Sequence, residues 1–153
     1  EEAMSICDKV AVMNDGKIHQ IDTPINLLNN PKTIFVSSFI LGNNIINLKK
    51  NGNSYISCLG EINCSEYLKN TGIKSMSISP KFISIKRSES GDAIVISKEF
   101  LGEFLIYKVS INGNILRVRT DINNLLNNGD KCSLSINTNS YYFLYPGAYK
   151  EYI

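Results

Sequence analysis

The residues of this sequence best suited to chemistry are few and scattered. Four cysteines, Cys7, Cys58, Cys64 and Cys132, could serve a soft metal, but no C-x-x-C pair brings two of them together. The only histidine, His19, is remote in sequence from three of them, so a zinc site is not expected. A disulfide is open only to Cys58 and Cys64, and nothing suggests an oxidising compartment. Reduced thiols acting as small apolar side chains are the simpler reading. His19, between Ile18 and Gln20, reads as a partly exposed strand residue. A single histidine with no nucleophile beside it does not make a Ser-His-Asp or Cys-His arrangement. Glu1 and Glu2 read as a solvated helix face. Lys81, Lys86, Arg87 and Ser88 form a basic segment that could meet an oxyanion, or simply a solvated strand end and loop. Arg117 and Arg119 with Tyr107 could stack bases over a basic groove, or form the polar face opposite Leu116 and Val118. A net charge of +2 is too weak to imply nucleic acid or a membrane surface, and no nucleic-acid partner is expected.

These residues must be carried by short elements. At 153 residues the chain can bury one core, or one domain and a remnant of another. No apolar run approaches the length of a membrane span, and no signal peptide is evident. Glu1 to Cys7 reads as the end of a helix with no cap before it. Val10–Met13 and Lys17–Ile21 are strands about an Asn14-Asp15-Gly16 turn. Thr23 and Pro24 read as the N-cap and first residue of a helix through Asn30. Pro31 closes it, and Lys32 to Leu41 opens another. Gly42, Asn43 and Asn44 break the pattern, and a domain boundary is expected there. Beyond it, strands are expected over 45–48, 54–59, 73–78, 82–86, 93–97, 103–111, 115–120, 131–136 and 141–145, with a brief segment at 61–64 and one helical turn over 65–70. Turns at Asn51-Gly52-Asn53 and Asn112-Gly113-Asn114, loops at 88–92 and 121–130, and a corner at 99–102 separate them. Leu105, Tyr107, Val109 and Ile111 share one side of the longest strand. In 73–78, only the face of Lys74, Met76 and Ile78 becomes consistently apolar. Many short strands with close turns point to a mainly β fold, a small Greek-key barrel or sandwich.

The opening order resembles the last stretch of the nucleotide-binding domain in an ABC transporter ATP-binding subunit, of the importer type with a C-terminal regulatory domain. The residues that carry the resemblance are Glu1, Glu2 and Ala3; Asp8 to Met13; Gly16, Ile18 and Gln20; Thr23 and Pro24; and Phe35, Val36, Phe39, Ile40 and Gly42. Asp22 stands where the family has glycine before Thr-Pro. Looser matches follow in the β region, which is similar to the family's oligonucleotide-binding-like regulatory barrel. They are Ile78 to Ile83, with Ser79 and Lys81 in place of the usual Arg and Glu; Gly91, Val95, Phe100, Leu101, Gly102, Tyr107 and Val109, with Val95 off by a residue; and Gly129, Asp130, Cys132, Leu134 and Ile136.

The resemblance implies a short α/β tail of the nucleotide-binding domain over 1–42 and a β-barrel regulatory domain over 43–153. It implies that this stretch is not itself an enzyme and carries no catalytic, cofactor or metal residues. No G-x-x-x-x-G-K-[ST] phosphate loop occurs, and the nearest Gly-Lys, Gly16-Lys17, falls in a hairpin turn. ATP and Mg²⁺ would belong to the full-length subunit. The family further implies a homodimer, permease subunits, a solute-binding protein, and a place on the inner face of the membrane. Phe100, Leu101, Phe104, Tyr141, Tyr142 and Phe143 are the candidate dimer contacts. Solute sensing by the barrel and single-stranded nucleic-acid binding are the alternatives. The solute is open among ferric iron, phosphonate, polyamine, sugar and oxyanion, with iron or phosphonate preferred.

Overall fold

A computed structural model of the chain describes residues 1–63 and 72–146. The helical turn expected over 65–70 and the pairing partner Cys64 lie outside the described residues; Cys7, Cys58 and Cys132 carry free thiols. The chain is mainly β.

It opens with a single-turn helix α1 (Glu2–Ile6). A hairpin of β1 (Val10–Asn14) and β2 (Lys17–Asp22) follows. Its turn is tighter than expected. Asn14 pairs within the ladder, and only Asp15 and Gly16 make the turn, with φ of 48° and 71°. Two consecutive positive φ values give the turn twist that matches paired strands. The register slips between Val12 and Met13, so His19 is an extra residue in β2, a bulge. Helices α2 (Pro24–Asn29) and α3 (Ile34–Leu41) are each opened by a threonine. The Asn26 N–H donates to Thr23 Oγ1 at 3.3 Å, and the Val36 N–H donates to Thr33 Oγ1 at 3.2 Å. The second helix thus starts two residues later than the sequence suggests, because Thr33 supplies its cap.

Asp22 explains how this chain dispenses with the glycine. Its φ is not positive, so no glycine conformation is required. Its carboxylate accepts from the Thr23 N–H at 3.0 Å and the Asn26 side-chain amide at 2.9 Å. It therefore anchors the first turn of α2.

The β region contains β3 (Asn44–Asn47), β4 (Lys49–Asn51), β5 (Ser54–Ser57), β6 (Gly60–Asn63), β7 (Ser75–Ile78) and β8 (Ile83–Arg87). The long strands are β9 (Ala93–Phe100), β10 (Phe104–Ile111) and β11 (Asn114–Asp121). Two more, β12 (Lys131–Ile136) and β13 (Tyr142–Tyr145), complete it. Strand β9 runs three residues past its expected end, so the corner shrinks to a turn at Leu101, Gly102 and Glu103. Phe82 belongs to a 3₁₀ turn rather than to β8.

The five-stranded antiparallel sheet has the order β11-β10-β9-β12-β8. Strands β9 to β11 meander, and β12 returns beside β9, which is the Greek-key connection. The sheet curls so that the Asn124 amide, just past β11, donates to the Ile85 carbonyl on β8 at 3.1 Å. The free edge of β11 is met by one side chain. Asn44 Nδ2 donates to the Arg117 carbonyl, and the Arg117 N–H donates to Asn44 Oδ1, both at 2.8 Å. This amide acts as a peptide unit, pairing an edge that would otherwise stand open. Two smaller sheets, β13-β7-β3 and β4-β5-β6, complete the barrel-like body.

The inward alternation of β10 is as expected. Leu105, Tyr107 and Val109 are fully buried, and Val118 and Leu116 of β11 stand opposite Tyr107 and Val109. The Tyr107 hydroxyl accepts from the Leu126 N–H at 2.8 Å and donates to the Asn124 carbonyl at 2.9 Å, pinning the loop after β11. Gly91 is required by close approach rather than by a turn. A Cβ there would stand 2.1 Å from the Cys132 carbonyl oxygen.

Candidate functional site

The surface of β7 facing α3 brings together polar groups that lie far apart in the chain. Met76 and Ile78 join the barrel core, as their face predicts. The opposite face, read as polar, is buried as well: Ser75 and Ser77 are both fully inaccessible. The cause is α3, which lies across this sheet and brings its own fully buried Ser37 to Ser77. Serines at this crossing let helix and strand approach closely, and a buried hydroxyl must then find a partner. Ser37 and Ser77 hydrogen-bond to each other. Asn43, just past Gly42, donates from Nδ2 to Ser37 Oγ at 3.2 Å and to Ser77 Oγ at 3.0 Å. From β13, the Tyr145 hydroxyl donates to the Pro31 carbonyl at 2.7 Å. Burial pushes the Tyr145 phenol above its ordinary value, and a hydrogen bond with Ser37 partly opposes the shift. One polar network therefore runs from the α2–α3 connection through Tyr145 and Ser37 to Ser77 and Asn43.

Gln20 is a second structural device hidden in a motif position. It is 4% exposed, accepts from the Lys32 N–H at 2.9 Å and donates to the Asn30 carbonyl at 3.1 Å. It staples β2 to the connection between α2 and α3. His19 is half-buried in its bulge, as expected of a strand residue. Its Nδ1 lies 3.2 Å from Thr33 Oγ1, and its ring packs on Phe35.

The residues expected to contact an oxyanion do not converge. Lys81 lies in the 3₁₀ turn over the Phe82 ring, and Lys86 points outward from β8. At about 3.3 Å per residue the two are roughly 15 Å apart. Arg87 forms an ion pair with Asp130, and Ser88 faces Ser90 at 3.3 Å. Asp130 is held below the ordinary carboxylate range by the Asn127 N–H first and by Arg87 second. The stacking arrangement is also not assembled. Tyr107 is wholly inside the core, and Arg119 lies 3.6 Å from the centre of the Phe104 ring.

The expected dimer contacts fall into two groups on different sheets. Phe100 and Leu101 are exposed at the β9–β10 tip, with Phe104 half-buried beside them. Tyr141 is exposed and packs edge-on against Phe82 and Phe143, while Tyr142 and Phe143 are half-buried on β13. The one Gly-Lys pair, Gly16-Lys17, lies at the β1–β2 turn and opens no helix, so it cannot act as a phosphate cradle of the Gly-rich type. Among the described residues, no helix is long and apolar enough to cross a membrane.

A hairpin and two capped helices set against a small Greek-key barrel define the fold class, and comparison with known proteins finds relatives for part of the chain. Part of this chain is homologous to ATP-binding subunits of ABC importers, consistent with the C-terminal part of such a subunit. The spermidine/putrescine import ATP-binding protein PotA of Bacillus thuringiensis (strain Al Hakam) is 54% identical over 56 residues, which is 37% of this chain and 16% of the relative. PotA of Desulfitobacterium hafniense (strain Y51) is 52% identical over 46 residues, 30% of this chain and 13% of the relative. The sn-glycerol-3-phosphate import ATP-binding protein UgpC 3 of Agrobacterium fabrum is 36% identical over 94 residues, 60% of this chain and 26% of the relative. The chain thus spans about a quarter or less of these relatives' length. No family model matches it.

Proposed function

We propose that this chain is the regulatory end of an importer's ATP-binding subunit. Residues 1–42 close the nucleotide-binding domain, and residues 43–153 form a barrel that governs that domain without doing chemistry. The observation that carries the reading is the incompleteness of the first part. Its core has three buried side chains, Val12, Leu27 and Val36. Meanwhile Ile6, Met13, Ile18, Ile21, Ile25 and Phe39 are each more than half exposed. So small a core with so much open apolar surface needs further protein to cover it. The ATP-binding relatives, several times longer, supply the model for what covers it.

In the full-length subunit, ATP and Mg²⁺ bind on that further protein. The subunit acts on the inner face of the membrane with permease subunits and a solute-binding protein. Two barrels meet in a homodimer through the Phe100–Leu101–Phe104 tip or the Tyr141–Phe143 aromatics, keeping the subunits paired while the ATP sites open and close. Among the solutes, polyamine draws support from the names of the PotA relatives, whereas iron and phosphonate draw none.

Two measurements test this. The 153-residue chain is expected to sediment as a dimer at micromolar concentration, and F100E/L101E or Y141E is expected to return it to a monomer. A strictly monomeric wild type overturns the pairing role. The same chain is expected to bind no nucleotide in equilibrium dialysis with ATP and Mg²⁺; binding by this chain alone overturns the whole assignment.

A further inference from the structure

The junction at Gly42 looks, in sequence, like a place to bend. A glycine followed by two asparagines ends a helix, and Gly42 sits at φ 64°. The surroundings show a different design. Asn43 is held by two serine hydroxyls, Ser37 on α3 and Ser77 on β7. Asn44 is held by both backbone groups of Arg117 on β11. Tyr145, in the same network through Ser37, reaches across the interface to the Pro31 carbonyl. These attachments come from both sides of Gly42 and use three different strands of the barrel. A bend at Gly42 would leave the Asn44–Arg117 pair within the barrel, but it would break the Ser37–Ser77, Ser37–Asn43 and Tyr145–Pro31 bonds inside a site where Ser37 and Ser77 are sealed from water. Hydrogen bonds lost there would not be replaced by solvent without opening the whole contact.

We propose that Ser37, Ser77, Asn43 and Tyr145 are positioning residues that lock the barrel to α3, so that the helical stretch and the barrel turn as one rigid body. Their role stands independently of which solute or partner the barrel serves. A rotation of α3 would therefore be delivered to the barrel undamped, and movement within a larger assembly would have to occur at surfaces other than this joint. The choice of small hydroxyl residues fits this role. An apolar contact of equal size would hold the pair together but leave their rotation about each other poorly fixed, whereas directed hydrogen bonds fix it.

The test uses the 153-residue chain in solution. In the wild type, residual dipolar couplings from residues 10–41 and from the long barrel strands are expected to fit one shared alignment tensor. In S77A/Y145F, the two sets are expected to need separate tensors. Amide exchange in α3 should rise on the order of 100-fold, the factor expected for three lost hydrogen bonds of about 1 kcal/mol each. Exchange at Val109 and Leu116 should stay unchanged. Two tensors in the wild type overturn the proposal. So does a double variant that keeps one tensor, or one whose barrel amides accelerate as much as those of α3.

Discussion

The two parts of this molecule are stabilised in opposite ways. The barrel buries nineteen core side chains among the described residues, contributed by its strands and by short connections such as Leu48, Ile73 and the loop after β11. The hairpin and helices before it bury three, and owe their shape to side-chain hydrogen bonds: Thr23 and Thr33 at helix starts, Gln20 across a connection, Asp22 at a turn. A region built on burial keeps its fold alone, because apolar area removed from water stabilises it wherever it is placed. A region built on caps and staples keeps its local shape only while something larger holds its elements together. That is the physical sense in which the first part depends on its neighbours and the barrel on its own core.

The comparison breaks if core truncations act alike in both parts, and this is the largest effect expected. Leu105→Ala empties a fully buried position on β10 and should cost about 2–5 kcal/mol, lowering the denaturation midpoint of the entire chain. Leu27→Ala, also at a fully buried position, removes one of only three core residues of the first part. It should abolish exchange protection in α2 and α3 while the barrel midpoint shifts little. Urea melts followed by residue-resolved exchange distinguish the two, and a uniform loss of protection in both variants would show one cooperative unit.

Legibility divides along the same line. Strand periodicity found the barrel because Leu105, Tyr107, Val109 and Ile111 must alternate to fill a core, and Asn112-Gly113 must turn with positive φ. What periodicity cannot show is a strand buried on both faces. Ser77 stands on the face opposite Met76 and Ile78, and the helix that brings Ser37 onto it makes it interior. Asn44 and Asn43 read as turn formers, since Asn is common at turns; their partners lie 73 and 34 residues away. Long-range pairing of a polar side chain leaves no periodic trace. The same holds for the basic segment: adjacency in sequence suggested one cluster, and an extended strand spread it out.

A middle-sized effect sharpens the role of the joint. The Tyr145 phenol is raised by burial above its ordinary 10.0, so the folded state holds its proton where the unfolded chain has begun to lose it. Stability from this group is fully present below about pH 10 and is lost as pH climbs from there through the folded value. Tyr145→Phe removes the bond to Pro31 and should cost about 1 kcal/mol at neutral pH, since the lost partner is one neutral hydrogen bond. It should also flatten the alkaline slope of stability between pH 9 and 11, read by urea midpoint against pH relative to wild type. An unchanged slope would mean that Tyr145 is not sealed in the joint.

The smallest effect concerns Asp22, which stands where the resembled pattern has glycine. The Asn26 side-chain amide, then the Thr23 N–H, hold the Asp22 carboxyl below its ordinary 3.8. A lowered acid favours the folded state above its unfolded value, and the benefit fades as pH falls below about 3.8. The carboxylate sits at the surface, so solvent screens it and the change in global stability should be slight. The local consequence is sharper. Asp22→Gly removes both acceptors and frees the backbone, so the first turn of α2 should fray, with faster exchange at the Asn26 amide. Asp22→Asn keeps one oxygen to accept these bonds but no charge, and should fall between the two. If the glycine variant protects Asn26 as well as wild type does, then Thr23 alone caps this helix, and the first part of the molecule depends less on its side-chain staples than the contrast with the barrel requires.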